Sequence, residues 1–311
     1  MKAVLPALAR PLLEPRLPGG LDVAWFASRE DAREMIVDAD IAWVDMQRSA
    51  DTAEAVATGG QLKWVNTIYA GVDPFDLARL KANGTILTNG VGINAIAVAE
   101  YAVMGVLAAA KRFDEVVRMS DRREWSTDAP GKVELDGTAA LIVGYGTIGR
   151  LIGERLAAFG GTVTGVTRSG HDGTLTPGEW KPRLGEFDWV ILAAPSTGET
   201  HALLGADELR TMKPSAWLIN VARGDMVDQD ALTEALEKRR IAGAFLDTVT
   251  PEPLPSDHPL WSAPNAILTM HLSGRSQTKM FLRAAELFLD NLSAFLDGRP
   301  MRNVVDLDRG Y

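Results

Sequence analysis

Short apolar runs alternate along this chain with longer stretches in which apolar residues recur at helical spacing. Runs at 23–26, 41–44, 64–67 and 85–88 read as strands, and a second series follows at 139–143, 162–167, 189–193, 217–221, 243–246 and 266–270. Short strands separated by helical segments predict mostly parallel sheets with helices on their faces. Two long helices frame the second series. One is predicted over 95–119, a stretch without proline. The other is predicted over 277–296, where Phe281, Ala284, Ala285, Phe288, Leu292 and Phe295 make one apolar stripe. The expected fold class is α/β, with two doubly wound parallel-sheet domains. One spans 99–277, and the smaller is discontinuous, built from 1–98 plus 278–311.

Composition narrows the chemistry. The 311 residues include no cysteine and four histidines. A disulfide scaffold, a thiolate nucleophile and an iron–sulfur centre are excluded, and no metal site is expected. Lys and Arg number 32 against 41 Asp and Glu, a net charge of −9, which argues against a nucleic-acid partner. The longest apolar run, 101–110, is about half of a bilayer span, so no membrane partner is expected. Residues 1–16 are interrupted by Pro6, Arg10, Pro11, Glu14 and Pro15 and do not read as a signal peptide. Together with the missing cysteines, this predicts a cytoplasmic protein.

The clearest local motif follows the 139–143 run. Gly144, Gly146 and Gly149 fit GxGxxG, and Ile148, Ile152, Leu156 and Phe159 continue at helical spacing. A lone match of this kind is weak. A strand leading into it and a helix leaving it make the turn that seats a dinucleotide pyrophosphate on backbone N–H groups. The next strand ends in Thr167, Arg168 and Ser169, and no acidic residue lies between Glu154 and Asp172. A carboxylate there would accept from the ribose hydroxyls of NAD. A guanidinium with two hydroxyls suits an extra phosphate, so NADP(H) is the preferred cofactor, with NAD(H) possible and a plain surface arginine the bland alternative.

Three later strands end in groups able to do chemistry. Arg223 lies just past the 217–221 run, Asp247 ends the 243–246 run with Glu252 in the loop beyond, and His271 ends the 266–270 run. Singly they could be a surface cation, a solvated acid and a satisfied histidine. On one edge of a nucleotide-binding sheet they suggest an active site.

With these residues in view, the chain resembles the D-isomer-specific 2-hydroxyacid dehydrogenase family. The resemblance rests on the glycine loop at 144–149, NVARG at 220–224, LDTVTPEP at 246–253 and His271 before a small-residue turn. It extends to IYAGVD at 68–73 and NAIAVAEYAV at 94–103, and so covers most of the chain from about residue 60. It implies a Rossmann domain and a smaller flavodoxin-like substrate domain, and hydride transfer between a nicotinamide cofactor and a 2-keto or 2-hydroxy acid. The nearest type is the glyoxylate/hydroxypyruvate reductases.

By that resemblance Arg223, Glu252 and His271 are the catalytic trio, and the backbone of Ala70, Gly71 and Val72 cradles the substrate carboxylate together with Arg223. The cofactor would meet Gly144, Gly146, Thr147, Ile148 and Gly149 at its pyrophosphate, and Thr167, Arg168 and Ser169 at its adenosine end. Pro195, Val221, Ala222 and Asp247 would line it further along. A homodimer is implied, with 122–130 near the partner and Trp125 as an anchor. One departure is Met270, where many relatives have proline before the histidine. An NAD-linked dehydrogenase for a larger hydroxy acid and a non-catalytic dinucleotide-sensing protein stand as alternatives. Arg48, in the loop with Met46 and Gln47, and Arg275 are ambiguous candidates for substrate contacts.

Overall fold

The computed structural model describes residues 1–46, 48–274 and 279–310. The chain divides into two compact units, Met1–Asn94 with Ser276–Tyr311, and Ala95–Arg275.

The first unit holds β1 (Lys2–Pro6), β2 (Asp22–Phe26), β3 (Ile41–Ala42), β4 (Trp64–Asn66) and β5 (Ile86–Thr88). They form one sheet in the order β2-β1-β3-β4-β5, with every pair parallel. Strand β1 is missing from the sequence prediction, because prolines and charges crowd that segment. It forms because Ala3, Val4 and Leu5 are fully buried, a continuous apolar run suited to a strand covered on both faces. Pro6 comes last, where the strand is ending.

Alternation splits this sheet's side chains between two cores. Val4, Ala42, Val44, Val65 and Leu87 face one. Ala3, Leu5, Ile41, Trp43 and Trp64 face the other, with Ala284, Ala285, Phe288 and Leu292 of the helix Met280–Leu296. The Phe288 ring stacks on Trp64 at a centroid distance of 5.0 Å. The buried indole of Trp64 donates to Thr88 Oγ1 at 2.9 Å, which offsets the cost of burying its N–H. That helix is the predicted apolar-striped one; residues 277 and 278 of the prediction lie outside the described residues.

The second unit contains β6 (Ala139–Val143), β7 (Thr162–Val166), β8 (Trp189–Leu192), β9 (Trp217–Asn220), β10 (Gly243–Leu246) and β11 (Ala266–Leu268). Their order is β11-β10-β9-β8-β6-β7, again parallel throughout. Ala140 and Ile142 join the core under the helix Ala95–Lys111, while Leu141 and Val143 join the opposite one. The helix predicted over 95–119 is in fact two, Ala95–Lys111 and Phe113–Asp121. Arg112 breaks it with a left-handed φ of 48°. The apolar stripe ends at Ala110, and the second helix buries none of its residues. Its first turn carries Asp114 and Glu115, both paired with Arg112 and Arg118.

Strand order reverses between β1 and β3 in the first sheet and between β6 and β8 in the second. Such switch points open a crevice at the carboxyl ends of the strands, where ligands of doubly wound sheets bind.

Candidate active site

The second sheet's switch point is occupied by the glycine turn. Gly144 has φ +95°, and a Cβ there would lie 2.3 Å from the backbone nitrogen of Ala194. Only glycine fits. A Cβ on Gly149 would meet the Gly144 carbonyl at 2.3 Å, so the helix can begin close against the turn. The N–H groups of Gly144 and Tyr145 donate to Val166 O at 3.1 and 2.9 Å, pinning the turn to the end of β7. The helix Thr147–Ala158 has Gly146 as N-cap and no side-chain cap. Its first-turn N–H groups and the positive end of its dipole are available to an anion. These residues fit a dinucleotide pyrophosphate.

Past β7 the chain closes on itself. Thr167 N–H donates to Leu175 O at 3.0 Å, and Gly170 N–H donates to Thr167 Oγ1 at 3.1 Å. Ser169 Oγ bonds the His171 Nδ1. Arg168 lies 3.7 Å from Glu199, and Arg150 lies 3.5 Å from Asp172. Both acids escape the sequence window of 155–171, one by a single position and the other by sitting on the loop after β8. These are exposed pairs, and exposed pairs are weak.

At the ends of β9, β10 and β11 the structure brings Arg223, Glu252 and His271 together. Asn220 shapes the first: its Oδ1 accepts from Ala222 N–H at 3.0 Å and its Nδ2 donates to Arg223 O at 2.9 Å. Gln229 holds the Glu252 loop by a pair of bonds to Thr250, Nε2 to the carbonyl at 2.6 Å and Oε1 from the N–H at 3.0 Å. Glu252 Oε2 lies 2.7 Å from His271 Nδ1. A carboxylate there keeps the proton on Nδ1 and fixes the ring. His271 Nε2 has no partner among the described residues. Partial burial works to raise the Glu252 pKa. The His271 hydrogen bond, the charges of His271 and Arg223 and the Val249 N–H outweigh it, and the carboxyl is held below its ordinary value.

Met270 and His271 both take left-handed backbone angles, φ 50° and 55°. A proline at position 270, with φ fixed near −65°, could not adopt this geometry. Two such residues cost about 1–2 kcal/mol each, and Asp247 offsets that. It is 1% exposed, and its Oδ1 accepts from Thr269 Oγ1 and Leu272 N–H, both at 2.9 Å. Ser273 N–H adds bonds at 3.3 and 3.2 Å. Asp247, expected at the cofactor, has its carboxylate taken up by the turn that presents His271. Nothing in the sequence marks the supporting role of Gln229; a polar residue ending an apolar strand, as in LIN, is the one signal that points to Asn220.

Val221 and Ala222 are buried after β9, and Pro195 follows β8. In the first unit, 68–72 is the turn after β4. The N–H groups of Ala70, Gly71 and Val72 donate to no described residue. Arg48 is exposed and begins the helix Ser49–Thr58 without a side-chain bond to it. Gln47 and Arg275 lie outside the described residues.

Residues 103–273 match the model of the D-isomer specific 2-hydroxyacid dehydrogenase, NAD binding domain. The chain belongs to the D-isomer-specific 2-hydroxyacid dehydrogenase family. It is similar to glyoxylate/hydroxypyruvate reductase B of Pectobacterium carotovorum, 35% identical over 260 residues covering 79% of each protein. In structure it is similar to a D-isomer specific 2-hydroxyacid dehydrogenase family protein from Aeromonas salmonicida, with TM-score 0.85, 29% identity and 99% of each chain covered. It is also similar to the NADPH-dependent glyoxylate/hydroxypyruvate reductase of Sinorhizobium meliloti, with TM-score 0.78, 25% identity and 99% and 98% of the two chains covered. As a member of this family the chain is an NAD(P)-dependent dehydrogenase acting on a small keto or hydroxy acid, with a Rossmann domain and a second, substrate-binding domain. No helix among the described residues is long and apolar enough to cross a membrane.

Proposed function

We propose that this dehydrogenase reduces a small 2-keto acid of the glyoxylate/hydroxypyruvate type, with NADPH preferred. The observation that carries the reading is the His271–Glu252 contact of 2.7 Å with His271 Nε2 left open. Held at the glycine turn of Gly144, Gly146 and Gly149, a nicotinamide cofactor would supply hydride chemistry for the keto carbon. Arg223, with a planar fork, holds the substrate's carboxylate and carbonyl oxygen and stabilises the charge that develops there. His271, as imidazolium, gives that oxygen a proton from Nε2, and takes it back in the oxidation direction. Glu252 stabilises the imidazolium and keeps its ring in place. The N–H groups of Ala70, Gly71 and Val72, which donate to no described residue, bind the substrate carboxylate.

NADPH preference rests on Arg168, Thr167 and Ser169 at the end of β7, with support from the relative in Sinorhizobium meliloti that is named NADPH-dependent. The NAD-linked alternative draws on Glu199, which occupies Arg168 at 3.7 Å. A homodimer is supported by Trp125, 95% exposed in the polar segment 122–130, as an interface anchor would be before its partner covers it. Oxidation of NADPH and NADH against a panel of glyoxylate, hydroxypyruvate, pyruvate and larger 2-keto acids tests the function. Turnover of the two small acids with NADPH is expected; no turnover of any keto acid with either cofactor would overturn it. Light scattering at micromolar concentration tests the dimer, and a monomer would rule it out.

A further inference from the structure

The first sheet's switch point, between β1 and β3, carries a carboxyl group that the reaction does not use. Asp45 stands three residues past β3. Its Oδ1 accepts from Thr67 Oγ1 at 2.6 Å, and its Oδ2 accepts from Ile68 N–H at 2.6 Å and from Trp43 Nε1 at 2.8 Å. Trp43 is fully buried, and its ring packs on Phe288 at 5.3 Å, so one of the three donors is fixed to the core. The other two belong to the turn that runs into Ala70, Gly71 and Val72.

The same turn is gripped from the β5 side. Asn89 Nδ2 donates to Ala70 O at 2.9 Å, and Gly90 N–H donates to Tyr69 O at 2.8 Å. The tail fastens that grip, with Asn303 Nδ2 donating to Asn89 O at 3.1 Å and to Val91 O at 2.8 Å. Thr67 Oγ1, while donating to Asp45, accepts from Tyr69 N–H at 3.2 Å. Every peptide from 68 to 70 thus has at least one polar group fixed, whereas the N–H groups of 70–72 donate to no described residue. A segment held this way keeps its free donors aimed at one place.

We propose that Asp45 is a positioning residue for the substrate carboxylate, holding the 67–70 backbone so that the N–H groups of 70–72 meet the anion already aligned. This rests on the reading of 70–72 as the carboxylate cradle. Desolvation pushes Asp45 up to about 6 against the pull of its three donors. At pH 7.5 the group is ionised and both oxygens are free to accept. Asparagine preserves one accepting oxygen for Ile68 and Trp43, and its amide can donate to Thr67 Oγ1. Alanine preserves neither.

The test uses the full chain, wild type, Asp45→Ala and Asp45→Asn, at pH 7.5. Steady-state kinetics with glyoxylate and NADPH are paired with hydrogen exchange of the peptides covering 64–73 and 139–149. For Asp45→Ala the expected result is a KM for glyoxylate raised at least about tenfold. Its kcat stays within about threefold, its KM for NADPH is unchanged, and exchange is faster at 64–73 only. Asp45→Asn is expected to recover most of the KM. A glyoxylate KM unchanged in Asp45→Ala, or no recovery by Asp45→Asn, would overturn the proposal, as would kcat and both KM values moving together. Should the wild type reduce no keto acid, the functional reading fails, and the exchange data decide the positioning claim alone: unaltered exchange at 64–73 in Asp45→Ala overturns it.

Discussion

Asp45 and Glu252 are both carboxyl groups at the carboxyl end of a parallel sheet, one in each unit, and their surroundings push them in opposite directions. Among the described residues Asp45 meets only neutral donors, and desolvation raises it to about 6. Glu252 meets an imidazole and the field of a guanidinium, and is held below its ordinary value. Neutral donors fix where a carboxylate lies without making its charge cheap. A cationic partner makes the charge cheap and couples it to a proton on the neighbour. The first arrangement suits a residue that holds backbone, and the second suits one that tunes an acid–base group.

The largest effect that would break this contrast is at His271. His271→Ala is expected to lower kcat by about 10²- to 10⁴-fold, the usual worth of a positioned acid–base group. NADPH affinity, measured by fluorescence titration, should be nearly unchanged. Wild-type turnover would remove the histidine from the mechanism and leave Glu252 with nothing to tune.

The next effect is on stability. Asp45 has a folded pKa above its ordinary value of 3.8. Its contribution to stability is present below about pH 4 and lost as pH rises through about 6, up to about 3 kcal/mol. Glu252 runs the other way. Its contribution is present above its ordinary value of 4.5 and lost as pH falls through its lowered pKa. Urea unfolding of wild type and Asp45→Asn across pH 4–7 should therefore show the wild type losing stability relative to the variant as pH rises. An identical slope in the variant would mean that Asp45 is not the titrating group.

Much of this was legible in the sequence, and the exceptions have physical causes. The glycine turn announced itself because Gly144 and Gly149 have no tolerated substitute and stand between an apolar strand and a helical period. Arg223, Glu252 and His271 were legible because each follows an apolar strand, and parallel strands deliver their ends to one edge. Strand β1 was not, since Pro6 and the charges beyond it mask three buried residues. The break at Arg112 depends on one backbone angle, to which periodicity is blind. The pairs Arg168–Glu199 and Arg150–Asp172 join positions that a local window does not connect. Asp45 gave no signal at all: a single acid in a short loop matters only because Thr67, Ile68 and Trp43 converge on it.

At the adenosine end the expected effect is smaller. Arg168→Ala should weaken NADPH about ten- to a hundredfold while leaving NADH nearly unchanged, the worth of one or two charge-assisted bonds. Equal weakening of both cofactors would show that Arg168 is not a phosphate ligand. Glu199→Gln should tighten NADPH slightly, since it removes the negative charge 3.7 Å from the guanidinium.

The smallest shift is the most direct test of the central claim, that Glu252 sets the proton-donating state of His271. The measurement is kcat/KM for glyoxylate reduction at pH 7.5, in wild type and in Glu252→Gln. Without the carboxylate at 2.7 Å the ring loses the partner that orients it and favours its proton-carrying form, and kcat/KM should fall by about three- to tenfold with NADPH affinity unchanged. An unchanged or higher kcat/KM would contradict the pairing of Glu252 with His271 as the acid–base device.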